Sequence, residues 1–214
     1  MPRVSDEYMA RRREEILNAA KTCFAREGFH ATSMRDIYRE CGLSPGAVYN
    51  HFASKEDIVR ALGEERLREA QAQRDALALI EDPIEALRLL SAGTREQLVR
   101  EVDLLLQLQL ASEALRNEAI ADVARRAFEA TLETVVGLIG RAQSTGDLDP
   151  QVDADALARV LVGVFQGVVV QTAIGVPPER ERHIAALRAL LAPLLSADAR
   201  ERLSGSPMIK GGRA

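Results

Sequence analysis

Apolar residues recur along this chain at spacings of three and four, and no stretch sustains the alternation of a half-buried strand, so the pattern predicts helices throughout. A first helix is expected over about residues 8–27, with Ile16, Leu17, Ala20, Cys23 and Phe24 on its inner face and Gly28 as its stop. In a second, from Met34 to Cys41, residues Met34, Ile37, Tyr38 and Cys41 follow the i, i+3, i+4, i+7 template. Ser33 with Asp36 three residues on reads as its capping box. Gly42-Leu43-Ser44 breaks the chain. Ser44 caps a third, short helix with Pro45 at its first position and Val48, Tyr49 and Phe52 along its inner edge. Ser54 caps a fourth helix, whose first turn sets Glu56 and Asp57 against the positive end of the helix dipole and which continues in polar residues to about residue 73.

From Pro83 the pattern is longer and more apolar. Helices are expected around Ile84, Leu87 and Leu90, and again around Leu98, Val102, Leu105 and Leu108. A long one runs from an Asn117 cap through Phe128, Val135 and Ile139 to about residue 143, and another from an Asp153 cap to about residue 174. The last long helix carries Ile184, Leu187, Leu191 and Leu194, and Pro193 kinks or ends it. Ser196 caps a final turn, and residues 205–214 read as a disordered tail. The expected fold is therefore all-α. A three-helix helix-turn-helix domain spans residues 1–62 with a linking helix to about 75, and a C-terminal helical bundle spans 76–204.

Two short helices joined by a three-residue, Gly-containing turn make a helix-turn-helix unit. The outer face of the second helix is small and polar (Gly46, Ala47, Asn50, His51), slim enough for a major groove about 12 Å wide. Its capped N-terminus at Ser44 favours phosphate, and Tyr49, His51 and Lys55 are side chains of the kind that donate to phosphate oxygens. The run Ile16-Leu17-x-Ala19-Ala20-x-x-x-Phe24, then Gly28, Thr32-Ser33-Met34-x-x-Ile37, then Gly42-Leu43-Ser44-x-Gly46-x-x-Tyr49-x-His51-Phe52-x-Ser54-Lys55 resembles the tetracycline-repressor-like (TetR) family. The resemblance is dense over about residues 10–62, while the rest of the chain is similar in layout alone. Tyr38 and Cys41 depart from it, standing where the family usually has small alanines.

The resemblance implies a DNA-binding transcriptional regulator, more often a repressor, that binds double-stranded DNA as a homodimer on a near-palindromic operator. It implies that Thr32 and Ser33 touch backbone phosphate and that Arg35 lies on the outer face of the second helix. Ala47 and Asn50 would lie nearest base edges, Tyr49, His51 and Lys55 would grip phosphates, and Gly46 would let the backbones approach closely. A small-molecule effector in the C-terminal domain would pivot the fourth helix and spoil the spacing of two recognition helices, which must reach grooves about 34–36 Å apart.

Charge changes this picture less than the total suggests. The net charge is -4, which alone argues against a nucleic-acid partner. Residues 1–60, however, hold ten Lys/Arg against nine Asp/Glu, leaving 18 basic and 23 acidic residues for the remainder. The acidity belongs to the C-terminal part, and Arg11, Arg12 and Arg13 form a basic knot near the start. Cys23 and Cys41 sit within apolar helical patterns without metal or disulfide spacing, so buried free thiols in a reducing cytoplasm are expected. The N-terminus lacks the apolar run of a signal peptide. The apolar stretch from Ala156 to Val176 carries Arg159, Gln166 and Gln171, which fits a bundle helix better than a membrane span.

In the C-terminal part Leu105, Leu108, Phe128 and Phe165 are candidate walls of an effector pocket, with Gln107, Gln109 or Gln166 as orienting polar groups. An apolar lining of this kind suits a hydrophobic or amphipathic effector. Gly163 and Gly167 form a small-residue pair that lets helices approach closely. Together with Leu187, Leu191 and Leu194 they are candidates for a dimer seam, which the resemblance places on the last two long helices. No cofactor or metal is expected. Asp147, Asp149, Asp153 and Asp155 lack the glycine and terminal glutamate of a calcium loop, and His30, His51 and His183 are dispersed. No nucleophile–base pair or nucleotide fingerprint occurs. Two other readings remain at this stage: a helical ligand-binding or scaffold protein that no longer binds DNA, and an enzyme with a helix-turn-helix appendage.

Overall fold

A computed structural model describes residues 6–90 and 101–204, with side chains from 7 to 90 and from 108 to 204. The side chains of Leu105 and Gln107, the expected helical position Leu98 and the tail 205–214 lie outside the described residues. The fold is all-α. The helices are α1 (Asp6–Glu27), α2 (Met34–Glu40), α3 (Pro45–Tyr49), α4 (Lys55–Ala78), α5 (residues 83–90), α6 (Glu101–Ala114), α7 (Glu118–Ser144), α8 (Ala154–Ala173), α9 (Arg180–Leu191) and α10 (Ala197–Ser204).

The capping chemistry read from the sequence forms as physics requires. Ser33 accepts from the Asp36 N–H while the Asp36 carboxylate accepts from the Ser33 N–H, satisfying two orphan donors at the start of α2. Ser44 caps α3 through the Ala47 N–H, with Pro45 where its missing N–H costs nothing. Ser54, Asn117 and Asp153 cap α4, α7 and α8. Gly42, at φ +67°, ends α2 in a Schellman turn: its N–H donates to the Arg39 carbonyl and the Leu43 N–H to the Tyr38 carbonyl. Pro193 does end α9, which stops at Leu191 and tightens into a single 3₁₀ turn, Ala192–Leu194.

The described residues divide into two compact units that do not follow chain order. One lies within Met1–Ala72 and Gln97–Ala130, the other within Gln73–Glu96 and Thr131–Ala214. The first unit has a core of Ile16, Leu17, Cys23 and Phe24 from α1, Ile37 from α2, Val48 from α3, Phe52, Ile58, Val59 and Leu62, with Ile120 from α7. Each aliphatic or aromatic side chain among these eleven contributes about 1.5–3 kcal/mol on burial, and together they anchor this small domain. Tyr38 and Cys41, both half-buried, pack against this core, and Cys41 is thus less enclosed than expected. Burial pushes the Cys23 thiol up, which leaves it a packing group rather than a reactive one. At Gly63 α4 passes so close to α7 that a Cβ would stand 2.5 Å from Val123 Cγ1.

The second unit packs Leu77 and Ile80 against Ala86, Leu87, Leu90 and Leu138. Arg141 donates to the carbonyls of Leu77, Ile80 and Glu81, placing a cation at the negative end of α4. Arg202 on α10 pairs with Asp82 at 2.7 Å and with Asp147. Burial pushes the Asp82 carboxyl up, but the bonds from Arg202 and the Ile84 and Glu85 N–H groups outweigh it and hold it low. The aspartates of the α7–α8 loop and the start of α8 are engaged within this unit: Asp147 by Thr145 and Arg202, Asp149 by the Gln151 N–H, Asp153 as a cap and Asp155 by Arg159.

Candidate nucleic-acid interface

The helix α3 is only five residues long, too short to persist without tertiary support. Val48, fully buried, and Phe52, nearly so, pin it to the core. The guanidinium of Arg13 lies 5.3 Å from the Phe52 ring centroid and covers its remaining face. With these two anchors inside, Ser44, Gly46, Tyr49 and Asn50 point outward, and Ala47 and His51 are half-buried at the margin. Tyr49, 50% exposed, is a large aromatic group that the core does not use. Gly46 has an ordinary helical φ, and a Cβ there would meet nothing within 4 Å. Glycine costs a helix about 0.5–1 kcal/mol relative to alanine, and the packing gives no reason for it at this position.

On α2, Arg35 is exposed and Ser33 is exposed at the cap, its hydroxyl donating to Asp36. These bonds from Ser33 hold the Asp36 carboxyl below the usual carboxylate range. Thr32 is a correction. The resemblance implies a phosphate contact for it, but it is buried, and its hydroxyl turns inward to the carbonyls of Gly28 and Cys23, closing the end of α1. Alternation at the loop puts Ser33 outside and Thr32 inside.

Lys55 is placed between two roles. Its ammonium donates to the carbonyls of Phe29 at 2.5 Å and Thr32 at 2.8 Å and lies 4.3 Å from the Phe29 ring centroid. Two of its three donors are committed to the α1–α2 loop, which leaves one. The basic knot is likewise partly internal. Arg12 binds the Tyr8 hydroxyl and Glu15, Arg13 covers Phe52, and Arg11 is 66% exposed.

The expected effector residues fall in both units. Leu108, Gln109 and Phe128 belong to the first unit, Phe165 and Gln166 to the second. Leu108, Phe128 and Phe165 are half-buried and Gln166 is exposed. Gln109 is engaged within the first unit, where its side-chain carbonyl accepts the Phe29 backbone N–H at 3.1 Å. Sequence reading also missed Glu113, His30 and Arg116, which cluster beside it. A signal existed, since Gln109, Glu113 and Arg116 form an i, i+4, i+7 polar stripe on an otherwise apolar stretch.

The candidate dimer residues lie on poorly covered helices. Gly163 is exposed with nothing within 4 Å of a would-be Cβ, Gly167 is half-buried, and Leu187, Leu191 and Leu194 are half-buried. Nearby Val160, Val170, Ile174, Val176 and Leu190, absent from the sequence-based set, are exposed large apolar groups. No residue of α9 is buried. By length and composition α8 is apolar enough to cross a membrane, yet Ala158, Val162 and Val169 form a buried stripe along it.

Known proteins match this chain along most of its length. A family model described as bacterial regulatory proteins, tetR family, matches residues 16–62, and one described as BetI-type transcriptional repressor, C-terminal, matches residues 83–196. The HTH-type transcriptional regulator UidR of Escherichia coli is 29% identical over 189 residues, covering 86% of this chain and 93% of the relative. The HTH-type transcriptional repressor AcnR of Corynebacterium diphtheriae is 31% identical over 182 residues, covering 70% of this chain and 90% of the relative. A protein of Saccharomonospora viridis solved in complex with choline shares the fold with a TM-score of 0.74 at 26% identity, covering 87% of this chain and 99% of that one.

Proposed function

Because the chain belongs to the TetR family and is a DNA-binding transcriptional regulator, we propose that it works as a homodimeric repressor of a near-palindromic operator, released by a small apolar effector. The observation that carries this reading is the outer face of α3. Its fold-neutral Gly46 and its outward Tyr49 and Asn50 have no structural use, and they are what a backbone approaching a base-pair edge requires. In this reading Asn50 and Ala47 meet base edges. Ser33, Arg35, Tyr49, His51 and the third donor of Lys55 meet phosphates, and the Ser44 cap lies beside them. Residues 1–62 bind DNA, the following helix links, and residues 76–204 bind effector and partner subunit.

The second subunit docks on the apolar outer faces of α8 and α9, where Gly163 and Gly167 permit close helix approach. An effector that favours a spread arrangement of the two heads lowers operator affinity by population shift. The choline-bound relative does not transfer its ligand. A quaternary ammonium is held by an aromatic cage, and six of the eight aromatic residues here lie at or before residue 52, leaving Phe128 and Phe165. A neutral apolar effector suits what remains, acting in the cytoplasm where the operator is.

A gel-shift assay on DNA flanking the protein's own gene tests the reading. A discrete, sequence-specific complex that persists in excess choline is expected. Binding no tighter than to random duplex sinks the regulator reading, and release by choline sinks the effector class.

A further inference from the structure

The segment Gly28–Thr32, between α1 and α2, is gripped from two sides, by Gln109, Glu113 and Arg116, which the DNA-contact reading does not use, and by Lys55 of α4. From α6, Gln109 accepts the Phe29 N–H at 3.1 Å, and its amide lies so close to Gly28 that a Cβ there would stand 3.3 Å from Nε2. One turn further on, the buried Glu113 places Oε2 3.3 Å from His30 Nε2, and Arg116 Nη1 lies 3.4 Å from the same nitrogen. That nitrogen donates to the carboxylate or accepts from the guanidinium, so His30 is held in either tautomer. From the start of α4, Lys55 holds the carbonyls of Phe29 and Thr32. Ser33, the next residue, is the N-cap of α2. The pose of α2, and of α3 after it, therefore depends on how this segment is held.

Packing alone does not call for this arrangement. A carboxylate buried at position 113 is costly unless paired, and its partner is an exposed loop histidine. An apolar side chain there would serve the core better.

We propose that Gln109, Glu113 and Arg116 form a latch through which α6 sets the DNA-binding pose of α2 and α3. The three are positioning residues and touch no DNA. With the latch closed the reading head is held in one pose; with it open the head samples others, and apparent operator affinity falls in proportion to the competent fraction. The inference rests on the regulator reading above, since the pose matters to affinity only if α3 enters a groove.

The test uses full-length protein and the duplex that the parent enriches from a random library. Operator affinity is measured against salt concentration, and hydrogen exchange is followed at the Phe29 amide. Gln109→Leu, which removes the acceptor, is expected to speed exchange at Phe29 and weaken operator binding about tenfold with an unchanged salt slope. Gln109→Glu, which keeps an acceptor oxygen, recovers most of both. His30→Ala, at a side chain 69% exposed and so no hazard to folding, weakens binding about threefold, again at unchanged slope. Parent-like affinity in both Gln109→Leu and His30→Ala overturns the latch. A weakening matched by a shallower salt slope also overturns it, because the side chains would then be phosphate contacts. If Gln109→Leu does not fold, His30→Ala decides alone. Failure of the parent to enrich any duplex sinks the regulator reading itself, whereas indifferent variants of a binding parent sink only the latch.

Discussion

The outer face of α3 and the outer faces of α8 and α9 both carry side chains that the chain's own packing leaves unused. On α3 these are the half-exposed Tyr49 and the exposed Asn50, beside a Gly46 with open space around it. On α8 and α9 they are Val160, Val170 and Leu190, with Gly163 among them. The monomer explains neither set, and their polarity separates what covers them. A slim polar face on a pinned short helix suits a hydrated groove edge, and a broad apolar face with small residues suits another protein helix.

The largest effect is expected where the apolar face is charged. Gly163→Arg meets open space in the monomer, so folding should survive, while a guanidinium in an apolar seam is costly. Sedimentation should show monomers, and operator affinity should fall about hundredfold or more as the two half-sites lose their tether. A Gly163→Arg protein that stays dimeric moves the seam elsewhere. On the polar face, Asn50→Ala should erase about 1–3 kcal/mol of base discrimination. Identical selection profiles for variant and parent would remove Asn50 from the reading set.

Two helical glycines sharpen the contrast between faces. Gly63→Ala drives a Cβ into Val123 and should lower stability by about 1–3 kcal/mol in denaturant titrations. Gly46→Ala should raise stability by about 0.5–1 kcal/mol and yet weaken operator binding, since its methyl group would stand between backbone and DNA. A Gly46→Ala protein that binds as the parent does would leave that glycine without a function. The smallest effect concerns acid. Hydrogen bonds from Ser33 hold the Asp36 carboxyl low, so its capping contribution is full above about pH 4 and is lost as pH falls through the lowered folded value. Asp36→Asn should flatten that acid limb in thermal melts, and an unchanged limb would assign it to other carboxylates.

Legibility in the sequence follows the range of the interaction. Caps and stops act within four residues, so Ser33 with Asp36, Ser44 with Pro45, Gly42 and Pro193 could all be read before the fold was known. The fold class follows from the helical spacing of the apolar positions between them. Where a side chain's partner is distant, local pattern failed. Thr32 reads like Ser33 until the carbonyls of α1 are seen beneath it, and Lys55 looks free until Phe29 and Thr32 close on it. Gln109 reads from sequence as a polar group orienting a ligand in an apolar stretch, while its observed partner lies 80 residues earlier. The exposed apolar face of α8 was legible as a hydrophobic run, but which of its sides is covered depends on neighbours that periodicity does not name.

Methylation interference on the enriched operator tests the central claim most directly, because it reports contact at guanine N7 in the major groove. Two symmetric clusters of interference about one helical turn apart, each weakened by Asn50→Ala, are the expected result. Specific binding without major-groove interference, or a single cluster without its symmetric mate, would contradict it.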